Sequence, residues 1–247
     1  MKKFTSILYY IFFFTTGIFF FPLAVAIWLL TVLIDKRLYV LHLYTQVWES
    51  FLLFVIPGWK IKVIGREKID NSKALVFVSN HQSEFDIVVI SKLYAHFKWV
   101  SKAEVFKSPI IGWNMTLNRY VKLKRGDRKS ILQMIKDSVK ALKTGSSVFI
   151  FPEGTRSKTG QFRSFSSGAF VIAQRAKVGI QPIAISGTKE IMVKGSWMLN
   201  YKANVTVTVL DSIPYEEIKD KDSSELAREI RQKIAKHVKE HQEEDSK

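Results

Sequence analysis

The sequence predicts an α/β fold: a largely parallel sheet flanked by helices, preceded by an N-terminal element of two apolar helices. Three observations support this prediction. Residues 4–34 carry no charged side chain, strand-like and helix-like segments alternate after Gly58, and two polar motifs directly follow strand-like runs. We therefore assign residues 1–58 to the apolar element and residues 59–247 to one α/β domain that ends in an amphipathic helix.

Composition restricts the classes of function. The chain has 247 residues, a formal net charge of +16 and no cysteine. The lack of cysteine excludes disulfides, thiolate nucleophiles and cysteine-based zinc sites. The positive charge favours an anionic partner, such as nucleic acid, an anionic membrane surface or an acidic substrate. A lysine-rich surface that serves only solubility is the simpler alternative.

The first apolar segment is long enough to enter a membrane. Residues 4–34 exceed the roughly 20 residues that a helix needs to cross a bilayer. A signal peptide is one alternative, because residues 24–26 (AVA) resemble a cleavage site, but the apolar run continues past them. Basic residues flank both ends of this segment, which favours placing both ends on the same side of the membrane. Pro22 can kink or break a helix, so a shallow helical hairpin competes with a single span, and we expect the shallow element.

The second apolar segment, residues 38–57, also has helical periodicity. Its apolar positions recur at steps of three and four residues, whereas His42 and Glu49 argue against a free membrane span. The segment ends at Pro57 and Gly58. The two segments together predict a two-helix membrane anchor.

The remaining elements follow in chain order. Strand patterns occupy residues 59–64, 74–79, 97–101, 120–123, 147–151, 181–186 and 204–210, and helix patterns occupy 84–94, 127–142, 165–177 and 223–240. The last helix places apolar side chains four residues apart, at Leu226, Ile230, Ile234 and Val238. We expect this helix to pack on its own domain rather than on a membrane, because its other faces mix both signs of charge.

The first polar motif is NHQSEFD at residues 80–86, where a strand pattern passes into a helix pattern. The carboxyl ends of strands host the sites of α/β sheets. His81 and Asp86 could not meet on one regular helix, but they can meet if His81 lies in the entering turn. Asp86 would then orient the imidazole and leave its other nitrogen as a base. The alternative is that both residues merely cap a helix. Ser83 could be a nucleophile, but we expect it to cap the helix.

The second motif is FPEGTRS at residues 151–157, after another strand pattern. Gly154 permits a tight turn, and the planar guanidinium of Arg156 suits phosphate oxygens. Thr155 adds a hydroxyl donor, and Glu153 could hold the loop. The alternative is an ordinary loop with an ion pair. Basic residues lie between the two motifs, at Lys102, Arg119, Lys122, Lys124, Arg125, Arg128 and Lys129, and one or two of them could neutralise an acidic substrate.

At these residues the chain resembles the glycerolipid acyltransferases, specifically the bacterial 1-acyl-sn-glycerol-3-phosphate acyltransferases. The NHQSEFD motif matches the family's NHxxxxD block, and FPEGTRS matches a second block at every position. Weaker similarities lie at residues 101–104, 123–125 and 181–185. Two positions depart from the family pattern: Lys124 replaces the usual acidic residue, and Ser167 stands where a lysine is common.

The resemblance implies transfer of a fatty acyl chain from acyl carrier protein or coenzyme A to lysophosphatidic acid, giving phosphatidic acid. His81 would be the general base and Asp86 its orienting partner. The substrate would be bound by Lys102, Arg125, Glu153, Gly154, Thr155 and Arg156. The enzyme would sit at the cytoplasmic face of the inner membrane, on anionic lipids.

We expect no cofactor and no metal, because the chain lacks a phosphate-binding glycine loop and a metal-ligand cluster. Glycerol 3-phosphate or another lysophospholipid is an alternative acceptor. A lipid A acyltransferase would share the His-x4-Asp spacing but not FPEGTRS. From another class, the alternative is a non-catalytic basic protein that binds membrane or nucleic acid; we expect no nucleic acid, since no such fold is recognisable.

Overall fold

A computed structural model describes residues 2–155, 162–192 and 195–244. The helices are α1 Lys2–Thr31, α2 Tyr39–Leu52, α3 Phe85–Ile90, α4 Ile111–Leu117, α5 Arg128–Lys143, α6 Gly168–Ala176, α7 Thr188–Ile191, α8 Tyr215–Ile218 and α9 Ser223–Glu244. The strands are β1 Trp59–Ile64, β2 Val76–Ser79, β3 Phe97–Lys102, β4 Val121–Leu123, β5 Ser147–Ile150, β6 Ile180–Ser186 and β7 Ala203–Val209. Short 3₁₀ helices lie at Arg66–Lys68, Ser91–Leu93 and Val105–Lys107.

All seven strands belong to one sheet, in the order β1-β7-β6-β2-β5-β3-β4. Neighbouring strands are parallel except β6 and β7, which are antiparallel. The predicted α/β class with a largely parallel sheet is therefore confirmed. Because β6, β2, β5, β3 and β4 run in the same direction, their carboxyl ends meet at one edge of the sheet.

Helices cover both faces of the sheet, as expected for strands that are buried on both sides. One core cluster joins the sheet to α1, α3, α4 and α7 through residues such as Tyr9, Phe85, Met115 and Ile191. A second cluster joins the opposite face to α5, α6, α8 and α9. As predicted, α9 packs on its own domain, with Leu226, Ile230, Ile234 and Val238 buried.

The expectation that Pro22 could break the first apolar segment is wrong. α1 is one continuous helix of 30 residues with Pro22 inside it. Packing around the proline explains this: Phe20 stacks on Trp48 of α2 at 5.9 Å, and the Tyr44 hydroxyl donates to the Phe20 carbonyl at 3.0 Å. By length and composition α1 could cross a membrane, and it indicates membrane association.

Several element boundaries differ from the predicted ones. α2 stops at Leu52, before the predicted end at Pro57. α6 begins at Gly168 rather than at 165, because the preceding segment pairs with the β5 loop, where Ser166 N donates to the Pro152 carbonyl at 2.9 Å. α4, α7 and α8 were not predicted. They have seven, four and four residues, which is too short for a helical repeat of apolar positions to be recognised.

Candidate active site

The candidate site lies at the carboxyl edge of the sheet, where β2 ends. Asn80, the first residue beyond β2, continues the strand pairing with its side chain. Its Nδ2 donates to the Ile185 carbonyl at 2.8 Å, and its Oδ1 accepts from Ile185 N at 2.9 Å. The side chain thus replaces a backbone ladder, so the chain can turn away from the sheet at His81 without leaving β6 unpaired.

The turn brings His81 and Asp86 together, as the spacing predicted. His81 lies in the irregular segment before α3, and Asp86 is the second residue of α3. Nδ1 of His81 lies 2.7 Å from Oδ2 of Asp86. Because a carboxylate only accepts, Nδ1 carries the proton in this pair and Nε2 is the basic nitrogen.

Asp86 is fully buried and held from several directions. Besides His81, its Oδ2 accepts from the backbone N–H groups of Gln82 at 2.7 Å and Ser83 at 3.0 Å. Its Oδ1 accepts from the hydroxyl of Thr188, which is also fully buried. These contacts hold the turn before α3, because Gln82 and Ser83 precede the first helical residue, Phe85. Asp86 therefore orients the histidine and stabilises this turn, and the alternative that His81 and Asp86 merely cap a helix is wrong.

The imidazole of His81 is fixed on its other side by an aromatic ring. It stacks on Phe151, with centroids 4.2 Å apart and planes 15° apart, and Phe151 in turn stacks on Trp99 at 5.7 Å. The side chain of His81 keeps 15% of its surface exposed. Within the described ranges, Nε2 has no hydrogen-bond partner, so the basic nitrogen can face a substrate.

Glu153 links the two motifs. Its Oε1 accepts from His81 N at 2.9 Å, and its Oε2 accepts from Arg163 N at 3.2 Å. Burial raises the pKa of Glu153 above its usual value, although the two backbone hydrogen bonds oppose that shift. The carboxyl group thereby holds the backbone of His81 and connects both ends of the segment that contains Arg156.

The other predicted site residues are spread along the same edge. Gly154 has a φ of 67°, the left-handed conformation that its turn was expected to need, and Thr155 beside it is partly buried. Lys102 ends β3 and is exposed, and Arg125 follows β4 and is also exposed. From the strand order, Lys102 is two strands and Arg125 three strands from His81, about 10 and 14 Å along the sheet edge. Arg156 lies outside the described residues.

Sequence reasoning missed two contributors to this site. Thr188 donates to Asp86 from the turn after β6, and Phe151 stacks on His81. A signal for Thr188 was present, since a polar residue directly after a parallel strand falls at the same sheet edge. Ser83, expected to cap α3, accepts only weakly from Phe85 N at 3.4 Å and instead donates to the Met192 carbonyl at 3.2 Å.

No group of three or more histidine and carboxylate side chains that could hold a metal ion occurs in the part of the chain that the structure describes. The polar groups of the site are instead a histidine, two carboxyl groups and nearby cations. This arrangement suits proton transfer next to an anionic substrate.

About half of the chain matches a known protein family. The family model described as Acyltransferase matches residues 60–186, which include both motifs and most of the parallel strands. The chain belongs to the acyltransferase family. The family resemblance found in the sequence is thereby confirmed, and the match ends two residues before Thr188.

Two relatives of this acyltransferase are named for the same activity. The chloroplastic 1-acyl-sn-glycerol-3-phosphate acyltransferase LPAT1 of Arabidopsis thaliana is 39% identical over 198 residues, which cover 80% of this chain and 54% of that protein. The 1-acyl-sn-glycerol-3-phosphate acyltransferase of Pseudomonas aeruginosa is 32% identical over 168 residues, 66% of this chain and 64% of that protein. The chain thus spans about half the length of the Arabidopsis relative.

A solved structure has the same fold. It is the 1-acyl-sn-glycerophosphate acyltransferase PlsC from Thermotoga maritima, with a TM-score of 0.78, 23% sequence identity, and coverage of 98% of both chains. The similarity extends over α1 and α2 as well as the sheet, so the N-terminal helices are part of the shared fold.

Proposed function

We propose that this acyltransferase transfers a fatty acyl chain from an acyl thioester to the sn-2 hydroxyl of lysophosphatidic acid, giving phosphatidic acid. The names of the Arabidopsis and Pseudomonas relatives support this acceptor. The proposal extends their activity to this chain because its site contains groups suited to the reaction.

One observation carries the proposal. A fully buried carboxylate, Asp86, holds Nδ1 of His81 at 2.7 Å, while Nε2 has no partner in the described part of the protein. A histidine oriented in this way is a general base with its acceptor nitrogen directed outward. The chain has no cysteine, and Ser83, the serine of this motif, donates to a backbone carbonyl. An attacking hydroxyl supplied by the substrate therefore fits the site best.

The proposed reaction proceeds by direct transfer. Nε2 of His81 removes the proton of the acceptor hydroxyl, and the oxygen forms a bond to the thioester carbonyl carbon. The carbon–sulfur bond of the resulting tetrahedral intermediate then breaks. The imidazolium returns its proton to the leaving thiolate, so that ester and free thiol are formed and the histidine is regenerated. Asp86 orients the ring throughout, and Phe151 limits its rotation.

The phosphate of the acceptor is proposed to lie beside FPEGTRS. Arg156 has a planar guanidinium that suits phosphate oxygens, and it follows the turn at Gly154 and Thr155 in the sequence. Lys102 is the nearer auxiliary cation, two strands from His81, whereas Arg125 is one strand further away. We assign Glu153 to holding this loop, because both its oxygens accept from backbone N–H groups.

We further propose that residues 1–58 lie in one leaflet of the inner membrane as a monotopic anchor on the cytoplasmic side, with residues 59–247 as the catalytic domain. α1 contacts the domain at several points along its length. Ser6 Oγ accepts from Leu199 N at 2.8 Å, Gly17 lies against Ile110, and the ring of Phe21 packs against Trp113 with centroids 5.5 Å apart. From Ser6 to Phe21 the helix rises about 22 Å.

This length supports an orientation along the membrane surface. The hydrocarbon core of a bilayer is about 30 Å thick. If α1 crossed it, the domain segments that contact both parts of the helix would have to lie in hydrocarbon as well. A helix parallel to the membrane surface keeps these domain segments, with their polar backbone groups, in water. Its outward face is apolar and exposed, at Phe4, Ile7, Leu8, Ile11, Phe14, Ile18, Phe19 and Leu23.

A turnover assay tests the proposed reaction. The purified full chain in mixed vesicles is given lysophosphatidic acid, with acyl carrier protein or coenzyme A as the acyl donor, and phosphatidic acid is measured. We expect phosphatidic acid with at least one donor. Formation of product only from glycerol 3-phosphate or from another lysophospholipid would show that lysophosphatidic acid is not the acceptor. No turnover with any acceptor would reject the enzymatic proposal.

The orientation of the anchor is tested with a tag placed before Lys2. In sealed cells, a monotopic anchor keeps the tag protected from external protease, as it keeps the catalytic domain protected. Cleavage of the tag from outside would show a true span and would reject the monotopic proposal.

A further inference from the structure

The outward face of α5 is strongly basic and carries an exposed leucine. Its basic residues are all exposed: Arg128, Lys129, Lys136, Lys140 and Lys143. Leu132 lies among them with 55% of its surface exposed. We call these six residues the α5 surface. A helix face with five cations offers charge complementarity to an acidic partner, and Leu132 adds an apolar contact among them.

The helical geometry makes this surface continuous. Arg128, Leu132 and Lys136 are spaced four residues apart, so they form one row along the helix. The buried residues Met134, Ser138 and Leu142 face the opposite way, toward the sheet. Asp137 is the acidic residue of α5, and it accepts from Gln133 Nε2 at 2.8 Å.

The position of α5 relates this surface to the candidate site. α5 begins five residues after β4, at the same carboxyl edge as His81. Its apolar side joins the core cluster on the sheet face opposite to the one that α1 covers. If α1 lies on the membrane, the α5 surface points away from the membrane while its first turn remains next to the site.

We infer that the α5 surface docks the acyl donor in the form of a small acidic protein that carries the acyl chain as a thioester. The inference rests on the proposed function and specifies its donor. Charge complementarity selects an acidic partner and steers its approach. Leu132 offers the apolar contact, and the location away from α1 favours a water-soluble partner over a lipid surface.

Charge reversal tests the inference in the full-length enzyme. The variant Arg128→Glu/Lys136→Glu should raise KM for an acyl-loaded acyl carrier protein by about tenfold or more, and it should weaken the salt dependence of kcat/KM. KM for acyl coenzyme A and for lysophosphatidic acid should change less than about twofold. Glutamate suits position 128 because an acidic residue is favoured in the first turn of a helix. It suits position 136, further along α5, because it is a good helix former.

The matched control is Arg228→Glu/Lys233→Glu on α9. It changes the net charge by the same amount, at exposed helical positions on the same face of the sheet. Its KM for the acyl-loaded carrier protein should stay near that of the wild type. As a second variant, Leu132→Ser should raise KM for the carrier protein without changing the charge.

Other outcomes would overturn the inference while leaving the proposed reaction intact. One is an unchanged KM for the carrier protein in Arg128→Glu/Lys136→Glu. Another is an equal increase with acyl coenzyme A, or a wild type that uses only acyl coenzyme A. Loss of binding to anionic vesicles in the same variant would make the α5 surface a membrane contact instead. Turnover of lysophosphatidic acid by the wild type is the separate check on the proposed function.

Discussion

The two edges of the sheet use the same polar residue types in different ways. At the carboxyl edge, His81 is oriented by Asp86 and keeps part of its surface exposed. At the amino edge, His42 of α2 and His96, which directly precedes β3, are both buried where α2 packs against the sheet. The comparison shows that a histidine is suited to chemistry when it has one fixed nitrogen and access to a substrate, not merely a polar neighbour.

Contacts at the amino edge join the N-terminal helices to the domain. His42 of α2 lies 2.7 Å from the Tyr120 hydroxyl and 3.2 Å from the Ala95 carbonyl. Nζ of Lys98 donates to the carbonyl of Arg37, in the turn between α1 and α2, at 2.7 Å and to that of Asn118 at 2.9 Å. These hydrogen bonds satisfy buried backbone carbonyls and fix the N-terminal helices against the sheet.

The pKa values reflect this burial. Desolvation lowers the pKa of Lys98 to about 7 and that of His96 to about 3. Both groups are therefore less often charged than the same residues at a surface. The amino edge is thus a structural junction, whereas the carboxyl edge is the candidate reaction site.

The largest expected effect separates the two edges directly. His81→Ala should lower kcat by about 10²–10⁴-fold, because the general base is lost. Its melting temperature should stay close to that of the wild type, since His81 is partly exposed. Asp86→Asn should also be severe, because an amide cannot select the same tautomer. A His81→Ala enzyme that keeps more than about a tenth of the wild-type rate would contradict the assignment.

The matched substitution at the amino edge is His96→Ala. It should lower the free energy of unfolding by about 1–3 kcal/mol, because a buried side chain is removed. Turnover per folded molecule should be nearly unchanged. Denaturant unfolding and an assay normalised to folded protein measure the two quantities, and a large loss of kcat without destabilisation would break the comparison between the edges.

Arg156→Ala should act on the acceptor. The loss of a charge-assisted contact to phosphate is worth about 1.5–3 kcal/mol, which corresponds to an increase in KM for lysophosphatidic acid of about 10- to 150-fold. KM for the acyl donor should change little. Lys124→Ala is the control, because Lys124 departs from the family pattern and pairs only loosely with Asp127, at 3.9 Å. Equal effects on both substrates would place Arg156 elsewhere.

Thr188→Val tests the residue that sequence reasoning missed. Valine keeps the shape but removes the donor to Asp86, so we expect kcat to fall by about tenfold with KM unchanged. Thr188→Ser, which keeps the hydroxyl, should restore most of the rate. If valine and serine are equally active, or equally impaired, the hydroxyl does not position Asp86.

The smallest expected effect is a dependence of stability on pH at the amino edge. The pKa of Lys98 is about 7 in the folded state, against an ordinary value of 10.5. Between these values the unfolded chain binds more protons, so this group makes the free energy of unfolding rise with pH. The unfolding free energy of the wild type minus that of Lys98→Met should therefore become more positive from pH 7 to 9. A difference that is constant or falls with pH would show that Lys98 stays charged.

Local sequence information determined the main features of this protein. Alternating strand and helix patterns predicted the α/β sheet, because side-chain periodicity follows directly from backbone geometry. The two motifs identified His81 and Asp86, since their partners lie within five residues along the chain. The long uncharged segment identified α1 for the same reason: its signal is contained in consecutive residues.

Only the tertiary structure decided the features that depend on distant segments. Thr188 reaches Asp86 from the start of α7, about a hundred residues further along the chain, and Lys98 of β3 binds the carbonyls of Arg37 and Asn118, which lie outside that strand. The continuity of α1 through Pro22 depends on packing against α2, which can offset the lost backbone hydrogen bond. These contacts have no local pattern, because the energy that fixes them comes from burial among residues that are far apart in sequence.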